Sequence, residues 1–447
     1  MPLGPNQRAL LSRANSKKLR TEFRRVIEQW PRDRWLSAGN RYALDTVDRL
    51  EADTVAGGVL AHKQLSRYMA ASSIVHCMDG WSYAARALAS VMSGDIHAAT
   101  HLAYYAELRA AMSVLATAGI GVFDDRHFVL TLDGKCHVVR GGTHTFAWDA
   151  LSHWATQPSA SQLVLEVIEP GGISLDGWLQ HFPAAPGAVL RGKVVSAWLL
   201  DWGLDLKLFA EDKEARNQAS YRPTCIPAAT RMGFSSSLEF LEGFWTSFEP
   251  TALHPFRILD RYLLRRSMAQ AFSASKGSTP RQAPRAYKKF VQVVLHAVSP
   301  GDMLQAEWET FLDIPGGATQ ELPIIEAAGA RANKNLAIYH LQAIARAAML
   351  LRVATGACTS LLATASASEK SNLRFWWRAF GEDRGLWEAA TVPANLADLW
   401  ADVDSAVAQS KAWRTTAGSR QAFLGARAVS AHTLSTAERI PLWGLGI

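Results

Sequence analysis

Over most of the chain, apolar residues recur at steps of three and four, the pattern of helices packed along one side. In residues 1–36, Leu10, Leu11, Leu19, Phe23 and Val26 fall on one side of a basic arm that ends at Trp30-Pro31. This predicts a docking helix. Helical patterns follow over 42–50, 55–70 and 71–92, the last containing Gly80 and closing near Ser93-Gly94-Asp95. The clearest helix spans 97–118, with Asp95 as its N-cap, Leu102, Tyr105, Leu108, Met112 and Leu115 along one face, and Gly119 and Gly121 ending it. Period-two alternation appears at 128–132 and 135–139, on either side of Asp133-Gly134, and predicts a β-hairpin with a type I′ turn. Helices return over 147–156, 163–168 and 175–182. An apolar run over 189–208, with Trp198 and Trp202, then leads into the polar stretch 212–223. After Pro227 the chain reads as helices over 237–248, 255–272, 287–298, 304–312, 327–365, 373–380 and 396–410.

A mainly α fold is therefore expected, and 447 residues exceed what one ordinary core accommodates. The longest connection, 273–284, is rich in Ser, Thr, Gly, Pro and base, and is the natural boundary. The expected layout is an arm (1–36), a multi-helix domain (40–235) with the hairpin inserted, connecting helices (236–272), a basic linker (273–286) and a second helical domain (287–447).

Charge sharpens this picture. The formal excess is only +7, yet from Arg261 to Gly301 there is no Asp or Glu. Arg257, Arg261 and Arg265 fall at four-residue steps on one helix face, and Lys276, Arg281, Arg285, Lys288 and Lys289 follow, with Tyr287 among them. Such a stripe with a basic connection fits phosphates of RNA or DNA, or an acidic protein; a salt-bridged or solvated face is the alternative. Cys77, Cys136, Cys225 and Cys358 lie far apart and form no Cys-x-x-Cys pair, which suits buried thiols of a reducing compartment. The apolar run 337–365 carries Arg346 and Arg352, costly in lipid, and the basic N-terminus lacks a signal-peptide core, so a cytoplasmic protein without a membrane span is expected.

Two charges of the 97–118 helix, Glu107 and Arg109, stand two residues apart and cannot face the same way, so at least one wants a buried partner. That helix, through its run from Ala103 to Met112, resembles a core helix of the HEPN superfamily of bacterial helical domains. Arg216-Asn217-Gln218-Ala219-Ser220-Tyr221 is similar to the superfamily's signature, in which an Arg, usually a polar residue, and then a His open the last helix. The resemblance covers roughly residues 50–235. It implies a domain that pairs as a homodimer or sits in a complex, often in anti-phage defence. Active members cleave RNA with an Arg that stabilises the phosphorane charge and a His that moves the proton. Tyr221 stands where the His is expected, and a phenol is a poor base at neutral pH. The resemblance thus implies a quiet member that binds or assembles. A metal-independent RNase using Arg216 with Tyr221, or Arg427 with His432, is the competing reading, and a scaffold for an acidic protein is the third. Against catalysis, Arg216 is expected to reach a buried carboxylate, Glu107 being the candidate, in which case Glu107→Gln destabilises the fold.

Smaller constellations carry less. His97 and His101 could face one metal beside Asp95, but with no clear third ligand no metal is expected; His137 and His144 flank Arg140-Gly141-Gly142 as a small polar group. Arg374-Phe-Trp-Trp-Arg378-Ala-Phe380 reads as core packing of Phe375, Trp376 and Phe380 with both arginines outward, with stacking on a partner the alternative. There is no Walker loop, Rossmann fingerprint, nucleophile elbow or zincin motif, and no cofactor is expected.

Overall fold

The computed structural model describes residues 3–31, 33–183, 199, 208–221, 232–251, 254–313, 321–329, 336–388, 391–416 and 418–446. The expected run 189–208 lies almost wholly outside them, as does Cys225. The fold is mainly α, with one small sheet.

Three long helices form its centre: His62–Ser93, Ile96–Thr117 and Leu336–Leu362, packed on one another. Small residues make this close packing possible. Ala99, Ala103, Ala106, Ala110 and Ala111 are all fully enclosed on the middle helix. Gly80 lies inside a continuous helix, as the pattern predicts. A Cβ there would stand 2.6 Å from Leu351 Cδ2, so the glycine serves helix contact. The expected break between residues 70 and 71 is absent: one helix runs through Met69, Ala70, Ala71 and Ile74, all of them buried. Across the seam, the Trp81 indole donates to the Thr355 hydroxyl at 2.9 Å and the Ser113 hydroxyl donates to Ser73 O at 2.8 Å. These bonds satisfy polar groups that water cannot reach.

The N-terminal arm docks as expected. Asn15 caps the helix Ser16–Glu28 by accepting from Lys18 N, and Leu19, Phe23, Val26 and Ile27 are buried. Asp95 likewise caps the central helix by accepting from Ala98 N. That helix is buried almost all round; the face carrying Leu102 and Tyr105 is its less buried side. The hairpin pairs β2 (Arg126–Leu130) with β3 (Cys136–Arg140), and a short β1 (Ile120–Gly121) joins the other edge of β2. Its turn is not type I′. Only Gly134 has positive φ (81°), and Thr131 N bonds Lys135 O, so the loop is the three-residue kind with Gly in the left-handed position.

The expected division into two domains gives way to one interleaved core. Leu336–Leu362, from the second half of the sequence, lies between helices of the first half. The proposed boundary is a short connection whose flanking helices, Arg257–Lys276 and Pro284–Val298, pack together through Phe272 and Tyr287, with ring centroids 5.1 Å apart. Tyr287 is therefore core, not a stacking platform. Leu336–Leu362 contains the one stretch among the described residues long and apolar enough to cross a bilayer, and 89% of that window is buried inside the protein.

The two arginines of this helix explain how an apolar core carries charge. Arg346 is wholly enclosed; its Nε donates to Asp212 Oδ2 at 2.9 Å, and a second guanidinium nitrogen donates to Oδ1 at 2.5 Å. The Tyr339 hydroxyl donates to the same Oδ1 at 2.5 Å, and Glu107 lies 3.7 Å from Arg346 Nε. Arg352 makes a forked pair with Asp260 at 2.9 and 2.6 Å, donates to Val167 O at 2.7 Å, and lies 4.2 Å over the Phe256 ring. Removing one partner of such a pair strands a buried charge. Arg346→Met is expected to lower unfolding stability by about 3–5 kcal/mol, measured by urea denaturation; a loss under about 1 kcal/mol would mean that Asp212 has found water.

Candidate functional site around Arg216

Leu208–Tyr221 lies along the Ile96–Thr117 helix and brings Arg216 over its aromatic edge. The Arg216 guanidinium carbon is 5.1 Å from the Tyr104 ring centroid and 5.7 Å from that of Tyr105. The residue is only 7% exposed, its Nε has no hydrogen-bond partner, and among the described residues no carboxylate lies within ion-pair distance of it. The expected Glu107–Arg216 pair is absent. The cation facing Glu107 is Arg346, because Glu107 points into the three-helix centre and Arg216 sits one turn beyond Asp212 toward the surface.

Two imidazoles frame Arg216. His101 Nδ1 is 2.7 Å from the Ser220 hydroxyl, and its ring leans on Tyr105 at 5.0 Å. His144, at the start of helix Thr143–Ala155, has Nδ1 2.8 Å from the Tyr104 hydroxyl, which also accepts from the Trp148 indole at 3.3 Å. Lys213 Nζ donates to Thr145 Oγ1 at 3.4 Å on the same side. Burial, and secondarily the positive charge of Arg216, lower the pKa of both histidines; Lys213 adds to the effect on His144. Burial pushes the Tyr104 phenol up to about 12. At neutral pH the site therefore presents a desolvated guanidinium, an ammonium, two neutral imidazoles and a phenol. Such a set attracts an anion and offers nitrogen bases beside it.

Tyr221, expected as the catalytic partner, is 78% exposed at the end of its helix. Arg427 and His432 are both exposed, and among the described residues no hydrogen bond or ion pair joins them. Glu107 is fully buried and has no route to a substrate. His101 and His144 were legible only as a metal pair and a hairpin edge. Their common neighbour comes from a helix more than seventy residues further on. Among the described residues no three His, Cys, Asp or Glu side chains converge as metal ligands.

The basic segment divides in two. Arg261 pairs with Asp302 and lies 5.2 Å from the Trp308 ring; Arg265 meets Glu321 at 3.4 Å and lies 4.4 Å from the Tyr262 ring. Both are buried, so the predicted stripe of Arg257, Arg261 and Arg265 does not exist as a surface; Arg257 alone of the three is half-exposed. Lys276, Arg281, Arg285, Lys288 and Lys289 are exposed, with no carboxylate within ion-pair distance among the described residues.

No family model, curated protein or solved structure matches the chain.

Glu107 itself yields a test. Burial first, and then the Asp212 carboxylate, raise its pKa well above the ordinary 4.5, against the opposing pull of Arg346. The folded protein thus retains a proton that the unfolded chain releases above that value, and this carboxyl costs stability as pH rises through the window. Glu107→Gln, a neutral isostere, is expected to be at least as stable as the parent near pH 8 and to show a shallower fall in stability from about pH 5 upward. Chemical denaturation across pH reads both; a destabilised variant with an unchanged slope would make Glu107 an ionised partner of Arg346.

Proposed function

We propose that the protein binds nucleic acid through the surface formed by the 277–283 connection and the first turns of Pro284–Val298. The observation that carries this reading is the set of five exposed cations, Lys276, Arg281, Arg285, Lys288 and Lys289, in a stretch without a carboxylate. Tyr287, Phe290, Val291 and Val294 anchor the helix beneath, so Arg285, Lys288 and Lys289 stand on a fixed face. Cations held without counter-charges release ions from a phosphate backbone on contact, and binding then falls steeply with salt. An acidic protein would meet the same surface but lacks the regular phosphate spacing, and its affinity would not depend on strand length.

A second reading rests on the neutral imidazoles beside Arg216. In a metal-independent RNase, His144 or His101 would take the 2′-hydroxyl proton and the guanidinium would meet the developing phosphorane charge. The HEPN-like resemblance supports this reading at Arg216 and loses Tyr221, whose place is taken by histidines from two other helices.

Two measurements decide. Affinity for single-stranded RNA and DNA across salt is expected to follow a steep log–log slope, made shallower by roughly one unit of slope or less per cation when Arg281, Arg285, Lys288 and Lys289 become Ala; equal slopes would remove this surface from the interface. Incubation of labelled RNA with EDTA present is expected to give cleavage that Arg216→Ala and His144→Ala lower by at least about a hundredfold if the second reading holds. Products no greater than with the variants would leave binding alone.

A further inference from the structure

We infer that the cleft beside the helix Arg374–Asp383 is a binding site for a nucleoside di- or triphosphate. The cleft has a volume of about 620 Å³, within the range of small-ligand sites. One edge is cationic. Lys370, Arg374 and Arg378 all line it, and they follow at four-residue steps along the run formed by Ala367–Lys370, Ser371–Leu373 and Arg374–Asp383. A 3-10 turn separates Lys370 from Arg374, and all three side chains line the same cleft; Arg374 and Arg378 stand about 6 Å apart along the axis of one α-helix.

Like charges at this spacing repel and weaken a helix. Buried cations of this chain are answered with carboxylates at Arg261, Arg346 and Arg352. Among the described residues the exposed cations of this row, like those of the Lys276–Lys289 surface, are not. No described residue lining the cleft is acidic; Lys370 Nζ donates to Gly446 O at 3.2 Å, and neither Arg374 nor Arg378 has a carboxylate within ion-pair distance among the described residues. The row therefore directs its charge into the cleft, where an anion of more than one charge would meet all three side chains.

Apart from Ser371, the side chains of the remaining lining are apolar. Buried Leu373 and Trp377 line it, with Val392, Pro393 and Leu396 among the other lining residues. Helix Arg374–Asp383 is held by its other side, where Trp376 stacks on Phe380 at 4.8 Å and packs against Trp35 at 5.4 Å, so the cationic row has a fixed backbone. A free polyphosphate or dicarboxylate would use the cations and waste the slot. A nucleoside polyphosphate uses both, its base against the apolar wall and its phosphates along the row. This site shares no residue with the Lys276–Lys289 surface or with Arg216 and does not depend on either reading.

Calorimetric titration of the full chain with ATP, GTP, adenosine and inorganic tripolyphosphate tests the assignment. ATP or GTP is expected to bind, with tripolyphosphate and adenosine each at least about tenfold weaker. Arg374→Ala with Arg378→Ala is expected to weaken nucleotide binding by at least about tenfold while leaving the nucleotide-free melting temperature within a degree or two; Arg374→Lys with Arg378→Lys should retain most of the affinity. The variant set of Arg281, Arg285, Lys288 and Lys289 should bind nucleotide like the parent. Absence of ATP and GTP binding at millimolar concentration, equal affinity for tripolyphosphate, or unchanged affinity in the double Ala variant would each overturn it. So would loss of single-stranded oligonucleotide binding in that variant without any nucleotide binding by the parent.

Discussion

The enclosed guanidinium of Arg346 is the constraint on which the rest of the packing depends. A cation with no exposed surface is tolerable only if its charge is answered on the spot, and Asp212, which accepts from two of its guanidinium nitrogens, answers it, with Tyr339 on the same oxygen and Glu107 beside it. Asp212 and Arg346 come from two helices, so the forked pair fixes the axial position of each against the other, and Glu107 from a third helix lies against it. A slip by one turn, about 5.4 Å, would break the forked bond. Arg352 lies six positions later, on a different side of the same helix, and ties Asp260 and the Val167 carbonyl in the same way. One helix is thereby fastened in two directions at defined heights, which apolar contact alone, being non-directional, does not achieve.

Such fastening couples segments far apart in sequence. Glu107, Asp212 and Arg346 meet only when residues from both halves of the chain are present, and Asp260 and Arg352 repeat the demand. The helices His62–Ser93 and Ile96–Thr117 carry alanine and glycine along their seam, which permits close approach. Leu336–Leu362 packs on both. The core of the first half of the chain is thus shared with a helix from the second.

Much of the secondary structure was legible, because it depends on local signals. Asp95 as a cap, Gly119 as a stop, the Asp133-Gly134 hairpin and the docking face of the arm all act within a few residues of themselves. The role of Gly80 was not, since it is set by Leu351 on another helix. The turn type was missed for a related reason: Asp133-Gly134 supports more than one loop, and the Thr131–Lys135 pairing selects among them. Domain division failed because a connection rich in Pro, Gly and Ser reports local backbone freedom and says nothing about whether Phe272 and Tyr287 meet behind it. Of the candidate site, Arg216 was visible and its companions were not. Which of thirteen histidines lie beside it is decided by how Leu208–Tyr221 lies on Ile96–Thr117.

A sequence does not distinguish its arginines, yet the structure sorts them by what surrounds the charge. Arg261, Arg265, Arg346 and Arg352 are buried with carboxylates, and their energy is spent within the fold. Arg281, Arg285, Arg374 and Arg378 are exposed with no carboxylate in ion-pair distance among the described residues, which costs little in water and leaves their fields directed outward. Arg216 belongs to neither group: it is buried, no carboxylate among the described residues lies within ion-pair distance, and the Tyr104 and Tyr105 faces partly offset its desolvation. A fold able to supply Asp212 to Arg346 from the same helix, four residues away from Arg216, has carboxylates within reach. That it leaves Arg216 without one makes this residue the place where the structure is least complete in itself, and where an incoming anion has the most to contribute.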